Sequence, residues 1–281
     1  MKFNLFEAAN EKMFIVAHRG SAGGNIPCNT IVAYETALKQ GADMIEIDLE
    51  MTADGHLVIF HPGMEKVHLG SDRRIPTMTY EEVRQLRYVN YDKVSTQFGV
   101  ETFDDVLETF RGRCFINVDK FWGHPAEISH AIRRHGMSDQ MLVKSNPSDD
   151  VVKTLSEVAP EIAYMPIISA DDGTHEKLLA SNIRYIGCEI LFFDESAPQA
   201  SPEFIERLHR DGKLAWANSI IYNCRDQIAA GHSDDTALSG NPELGWGWLV
   251  DRGFDIIQTD WTAMLIDYLK STGRYWKAEK V

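Results

Sequence analysis

Two hydrophobic periods alternate along the chain. Short, nearly continuous apolar runs of four to seven residues are followed by stretches whose apolar positions recur every three or four residues, the pattern of buried strands alternating with amphipathic helices. The runs fall at Phe14–Ala17, Met44–Leu49, Leu57–Phe60, Cys114–Val118, 140–144, 161–167, 184–190, 213–217 and 255–258. Helical periodicity predicts helices over 30–40, 80–87, 103–110, 124–135, 148–158, 173–181, 201–211, 243–252 and 261–270. Thr30 and Thr102 stand where N-caps are expected, and Gly41 where the first of these helices should stop. Residues 1–12 read as a polar lead-in with a short helix over the floor of the domain. Strands alternating with helices imply a parallel sheet, and about eight such units predict a (β/α)8 TIM barrel. No G-x-G-x-x-G or phosphate-binding glycine loop supports a doubly wound nucleotide fold. The expectation is one domain spanning 1–281. The irregular stretch 62–100, after the strand ending at His61, is read as an inserted lid or substrate-binding segment.

The polar residues that interrupt or end these runs carry the chemistry. His18 and Arg19 close the first run, Glu46 and Asp48 sit inside the second, His61 closes the third, and Asp119-Lys120 close the fourth. Lys144, Glu189, Trp216, Asn218 and Asp260 fall at the ends of later runs, where barrel enzymes place their sites. Glu46 and Asp48, two apart on a strand, point to the same face among Ile45, Ile47 and Leu49. Two carboxylates held together there call for a cation between them. A hard divalent ion, Mg2+ or Ca2+ with Mn2+ a further candidate, suits such oxygens, and Asp119 offers a third. Two histidines at strand ends supply the base and the acid that phosphodiester cleavage needs. Arg19 and Lys120 would offset the charge on the phosphate, although two consecutive residues of a regular strand should not share a face. Trp216, Asn218 and Glu189 are read as contacts to the organic part of a substrate, or as residues that merely pack at the rim. His124, His130, His135, His175 and His209 fall on helices and are expected at the surface. The loop 231–241 is expected to be a solvated crossover from which Asp234 or Asp235 can reach a polar substrate.

Composition narrows the partners. A net charge of −14 argues against nucleic acid or an anionic membrane as the main partner, so any positive charge for a phosphate must be built locally. Cys28, Cys114, Cys188 and Cys224 are widely spaced, which predicts reduced thiols rather than a zinc site. Neither a signal-like leader nor an apolar run of membrane-spanning length stands out, so a cytoplasmic location is expected.

The motifs H-R-G at 18–20, N-T at 29–30, G-A-D-x-I-E-x-D at 41–48, T-x-D-G at 52–55 and the run ending in His61 resemble, in order and spacing, the glycerophosphodiester phosphodiesterase family. N-V-D-K at 117–120, W-A-N at 216–218 and G-F-D-I-I-Q-T-D at 253–260 extend the resemblance over most of the chain. It implies a TIM barrel that hydrolyses a small-molecule glycerophosphodiester to glycerol 3-phosphate and an alcohol with a divalent metal. On that resemblance His18 and His61 are the acid/base pair, Arg19 contacts the phosphate, and Glu46, Asp48 and Asp119 bind the metal. The chain departs from the family pattern at Cys28, where a glutamate is usual, at Pro62, where an aspartate is usual, and in the compression of E-x-K to Asp119-Lys120. Three other activities fit the same residues: a phospholipase D-like enzyme, a cyclising phosphodiester lyase, and a barrel that only binds a phosphorylated ligand.

Overall fold

The computed structural model describes residues 3–222 and 225–277, so Cys224 lies outside the described residues. Among the described residues there are ten strands: β1 (Phe14–Ala17), β2 (Met44–Met51), β3 (Leu57–Ile59), β4 (Phe115–Asp119), β5 (Met141–Ser145), β6 (Ala163–Ile168), β7 (Arg184–Tyr185), β8 (Gly187–Ile190), β9 (Leu214–Asn218) and β10 (Ile256–Thr259). β1, β2, β4, β5, β6, β8, β9 and β10 pair in parallel in that order, and β10 returns to β1, closing the TIM barrel. β7 is a two-residue piece that pairs only with β6, so the run read as one strand over 184–190 is broken before Gly187.

Nine apolar runs were one too many for an eight-stave barrel, and the extra one is β3. It does not join the ring but folds back antiparallel on the end of β2, with Ile59 opposite Leu49 and Leu57 opposite Met51. Antiparallel return needs only a tight turn, and Thr52–Gly55 provides it, with the Gly55 amide bonded to the Thr52 carbonyl at 3.0 Å. Consequently His61 is delivered by a hairpin beside β2. The Phe60 amide donates to the Asp48 carbonyl at 3.1 Å and sets that position.

The period-two alternation of the strands separates two apolar layers. Ile15, Ile45, Ile47, Ile116, Val118 and Val143 face outward and pack with helix residues such as Phe103, Phe110 and Ile132. Phe14, Val16, Met44, Leu142, Met165, Leu214, Trp216 and Ile256 face the barrel axis, closed from below by Leu5 and Ala9 of the N-terminal helix Leu5–Glu11. Every strand that carries chemistry thus begins in an apolar plug and ends in polar residues at one rim. Residues 62–100 hold the short helices Glu65–His68 and Tyr80–Val83, the second shorter than expected, and build an apolar cluster on Val58 and Phe60. The expected helix 243–252 is a π turn, Glu243–Gly247, running into Trp248–Arg252.

Two surface readings are corrected. The 231–241 stretch is not a solvated crossover: His232, Ser233 and Asp234 are buried, and Asp234–Leu238 is helical. Asp234 accepts hydrogen bonds from Ser219, Trp246, Thr259 and the Asp260 amide, so its carboxylate ties the last strand down and is not free for a ligand. His175 is likewise not at the surface. Its ring is buried between the Tyr185 hydroxyl at 2.9 Å and Asp211 at 2.8 Å. No helix among the described residues is long and apolar enough to cross a membrane.

Candidate active site

At the C-terminal rim, β1, β2 and β4 stand side by side, and their registers put Glu46 beside Asn117 and Asp48 beside Asp119. Glu46, Asp48 and Asp119 each offer an oxygen, and these oxygens all lie within 4.8 Å of one another. Glu46 and Asp48 are buried. Burial, together with the neighbouring Asp48 and Asp119 charges, pushes the Glu46 carboxyl up to about 7. Burial also opposes ionisation of Asp119, but Lys120 and Lys144 outweigh it and bring that carboxyl down to about 2. Asp48 Oδ1 and Asp119 Oδ1 are buried without a hydrogen-bond donor. Buried carboxylate oxygens rarely lack partners, and oxygens of this kind, three carboxylates deep, fit a hard divalent cation.

The remaining polar groups surround this cluster. Arg19 places its backbone amide on Glu46 Oε2 at 2.9 Å and its guanidinium Nε 2.9 Å from Asp48 Oδ2. Asn29 donates to the same Asp48 oxygen at 2.9 Å and accepts from the Tyr34 hydroxyl at 2.9 Å. His18 Nδ1 donates to Asp260 Oδ1 at 2.8 Å. Burial disfavours its protonated form, but the Asp260 bond and charge more than compensate and raise it. His61 Nδ1 donates to the Pro62 carbonyl at 3.0 Å, which leaves Nε2 as the unprotonated nitrogen, 3.5 Å from the Tyr222 hydroxyl. Burial lowers the His61 imidazole, assisted by Arg19 and Lys120 and resisted by Asp48.

Arg19, Asn29 and Lys120 all carry left-handed backbones, with φ of 55°, 56° and 61°. Such conformations are costly for residues with a side chain and gather where function requires them. Lys120 shows what is gained. The strand ends at Asp119, and the left-handed turn swings the next side chain back, placing its ammonium 2.6 Å from Asp119 Oδ2 and 3.8 Å from Asp48 Oδ1. The expectation that consecutive residues cannot share a face fails because Lys120 is no longer in the strand. Gly20 follows under similar pressure: with φ of 75°, a Cβ there would sit 2.7 Å from the Ala33 backbone.

The other sequence candidates form a lower layer. Glu189 accepts from Asn218 at 2.6 Å and lies 2.7 Å from Lys144, whose ammonium sits 4.3 Å above the centre of the Trp216 ring. Trp216 Nε1 donates to Asn218 Oδ1 at 3.0 Å. Lys144, Glu189 and Asn218 reach the cavity wall, but Trp216 is fully buried inside the barrel and does not line it. Replacement of Trp216 by alanine is therefore expected to lower the unfolding free energy by about 3–5 kcal/mol. A denaturant titration measures this. A substituted protein of undiminished stability but raised KM would instead place the ring against substrate. Asp260 was visible as the polar end of the last run, but its pairing with His18 depends on barrel closure between β10 and β1. Asn29 and Tyr222 stand in irregular segments that carry no periodic signal. Cys28 is half-buried in the wall of a neighbouring cavity that includes His18 and Arg19, and burial pushes its thiol up to about 11.

A closed parallel barrel with acidic, imidazole and basic groups gathered at its C-terminal rim defines a class, the TIM-barrel proteins with a polar site at the strand ends. Residues 18–260 match the model of the Glycerophosphoryl diester phosphodiesterase family, and the chain belongs to that family. It is 27% identical over 142 residues to a glycerophosphodiester phosphodiesterase of Caldanaerobacter subterraneus subsp. tengcongensis, covering 48% of this chain and 58% of that one. With the Bacillus altitudinis glycerophosphodiester phosphodiesterase it is 32% identical over 143 residues, covering 47% and 57%. The chain thus spans little more than half the length of these curated relatives. Among solved structures, a glycerophosphoryl diester phosphodiesterase from Parabacteroides distasonis superposes with a TM-score of 0.73 at 16% identity, covering 96% of this chain and 92% of that one. An Oleispira antarctica phosphodiesterase in complex with the product sn-glycerol-3-phosphate gives 0.68 at 20% identity, covering 92% and 96%. At these identities the solved structures establish the fold.

Proposed function

We propose that the protein hydrolyses a glycerophosphodiester to glycerol 3-phosphate and an alcohol, using one divalent cation and two histidines. The observation that carries this reading is the convergence, at one rim, of three carboxylates, two imidazoles and two cationic side chains. Glu46, Asp48 and Asp119 would hold the cation, which when bound supplies Lewis-acid stabilisation of a phosphate oxygen. Arg19 and Lys120 face the non-bridging oxygens and offset the charge that builds on them.

The hydrogen bonds favour distinct roles for the two histidines. His61, with Nδ1–H committed to the Pro62 carbonyl, presents a lone pair at Nε2 and is suited to remove a proton from the nucleophile. His18, with Nδ1–H held by the Asp260 carboxylate, is suited to carry a proton at Nε2 and deliver it to the departing alkoxide. Cys28 and Pro62, the departures from the family pattern, remove neither a histidine nor a metal carboxylate, which supports an enzyme over a barrel that only binds phosphate. The test is a metal-supplemented assay of glycerophosphodiesters bearing choline, ethanolamine, inositol and glycerol, with products followed by phosphorus NMR. A glycerol 3-phosphate signal supports the proposal. A cyclic phosphate that accumulates would show a lyase, and no turnover of any of the four or of a simple alkyl ester of glycerol 3-phosphate would sink the reading.

A further inference from the structure

The cavity above the carboxylates, about 270 Å3, has two unlike walls. Its floor is polar, formed by Asp119, Lys120, Lys144, Glu189 and Asn218, and those charges are paired with one another. Its outer wall is mainly apolar, with Trp122, Ile167, Leu191, Phe193, Ile220 and Ile228 beside Asn146, Tyr222 and Asp226. Phe193 is 64% exposed and Trp122 is 43% exposed.

The exposure of Phe193 is built in. Its neighbour Phe192 is completely buried, stacked 5.9 Å from Phe254 and 5.8 Å from Trp248. The Phe192 amide donates to the Ile228 carbonyl at 3.0 Å and the Ala230 amide donates to the Phe192 carbonyl at 2.9 Å, fixing the segment as extended backbone. With one side chain anchored in the core, alternation turns the next toward the cavity mouth. Phe193 and Ile228 therefore form a fixed apolar lip beside the phosphate-handling groups, where a polar lining would otherwise cost nothing. The floor itself offers little to a hydrophilic or cationic head group, because Glu189 is shared by Lys144 and Asn218 and Asp119 is held by Lys120; the other carboxylate in the lining, Asp226, is exposed to solvent.

We infer that the outer wall receives the hydrocarbon arm of the esterified alcohol, so that this enzyme prefers glycerophosphodiesters of alkyl alcohols over those with small hydrophilic head groups. The inference rests on the phosphodiesterase reading and adds the class of the esterified group. Two measurements test it together. Turnover is compared for glycerol 3-phosphate esterified with ethanol, butanol and hexanol, and for glycerophosphocholine. Binding of ethyl, butyl and hexyl phosphate is measured by calorimetry in parallel.

Burial of each added methylene should raise kcat/KM and affinity about fourfold. Phe193→Ser should flatten that slope, and Phe193→Leu should keep most of it. Because Phe193 is exposed, neither substitution is expected to unfold the protein, and circular dichroism checks this. A chain-length-independent series, or a slope that Phe193→Ser leaves untouched, overturns the inference, as does glycerophosphocholine exceeding the hexyl ester tenfold. Affinity that climbs with chain length while no ester is cleaved would uphold the apolar subsite and overturn the phosphodiesterase reading.

Discussion

Alanine at His18 or at His61 is expected to lower kcat for glycerophosphodiesters by about two to four orders of magnitude, the range for loss of a general acid or base. Neither change should unfold the chain. His61 is only part-buried and its ring bonds its neighbour's carbonyl and, at 3.5 Å, the Tyr222 hydroxyl, and His18 is tied chiefly to the half-exposed Asp260. The two losses should differ in kind. A poor leaving group needs the acid and a good one does not, so a substrate with an activated aryl leaving group should rescue His18→Ala but not His61→Ala. The reverse pattern would exchange the assigned roles. Equal, wild-type turnover in both variants would remove the histidines from the mechanism.

The pH profile follows with a defined sign. His61 is lowered, so its basic form persists below the usual imidazole range. His18 is raised, so its acidic form persists above that range. The profile of kcat/KM should therefore be a bell with a flat top across neutrality. It should fall in acid as His61 protonates and in alkali as His18 deprotonates. Asp260→Asn removes the carboxylate that holds the His18 proton, and should move the alkaline limb to lower pH while leaving the acid limb in place. A profile whose alkaline limb ignores Asp260→Asn would disconnect that pair from catalysis.

How far the sequence could be read depended on whether a residue obeyed a strand period. Glu46 and Asp48 were legible because both lie within a regular eight-residue strand whose alternate residues are apolar. Asp119 was legible for the same reason, and the register of β4 against β2 carries it to Asp48. Lys120 was legible as a residue type but not as a geometry, since its placement rests on one left-handed backbone angle. His61 was legible as the end of an apolar run, whereas the run's antiparallel direction is a property of the Thr52–Gly55 turn. Trp216 shows the opposite difficulty. A tryptophan near a strand end has the same local pattern whether it lines a cavity or plugs a barrel, and the distinction lies in the side chains arriving from Leu142, Met165 and Leu214.

Removal of divalent cations by excess EDTA is expected to abolish turnover, and Mg2+, Ca2+ or Mn2+ to restore it, with the order of restoration identifying the ion. A second readout is independent of activity. In the cation-free protein three carboxylates share one pocket, and Asp48 Oδ1 and Asp119 Oδ1 have no donor, so like charges oppose one another in a buried place. An ion that binds only the folded chain offsets this repulsion. At a hundredfold excess over its dissociation constant it adds about 2.7 kcal/mol, a rise of several degrees in melting temperature for a chain of this size. Above about pH 7, where the Glu46 carboxyl is ionised, Glu46→Gln removes one charge from the cluster and should act in two directions at once. The cation-free protein should melt no lower than the unaltered one, because repulsion has been relieved, while the increment from added cation should shrink or vanish. A melting temperature blind to EDTA and to added ions, together with full activity in chelator, would exclude the carboxylate cluster as a metal site. The buried charges at Glu46, Asp48 and Asp119 would then have to be balanced by Arg19 and Lys120 alone.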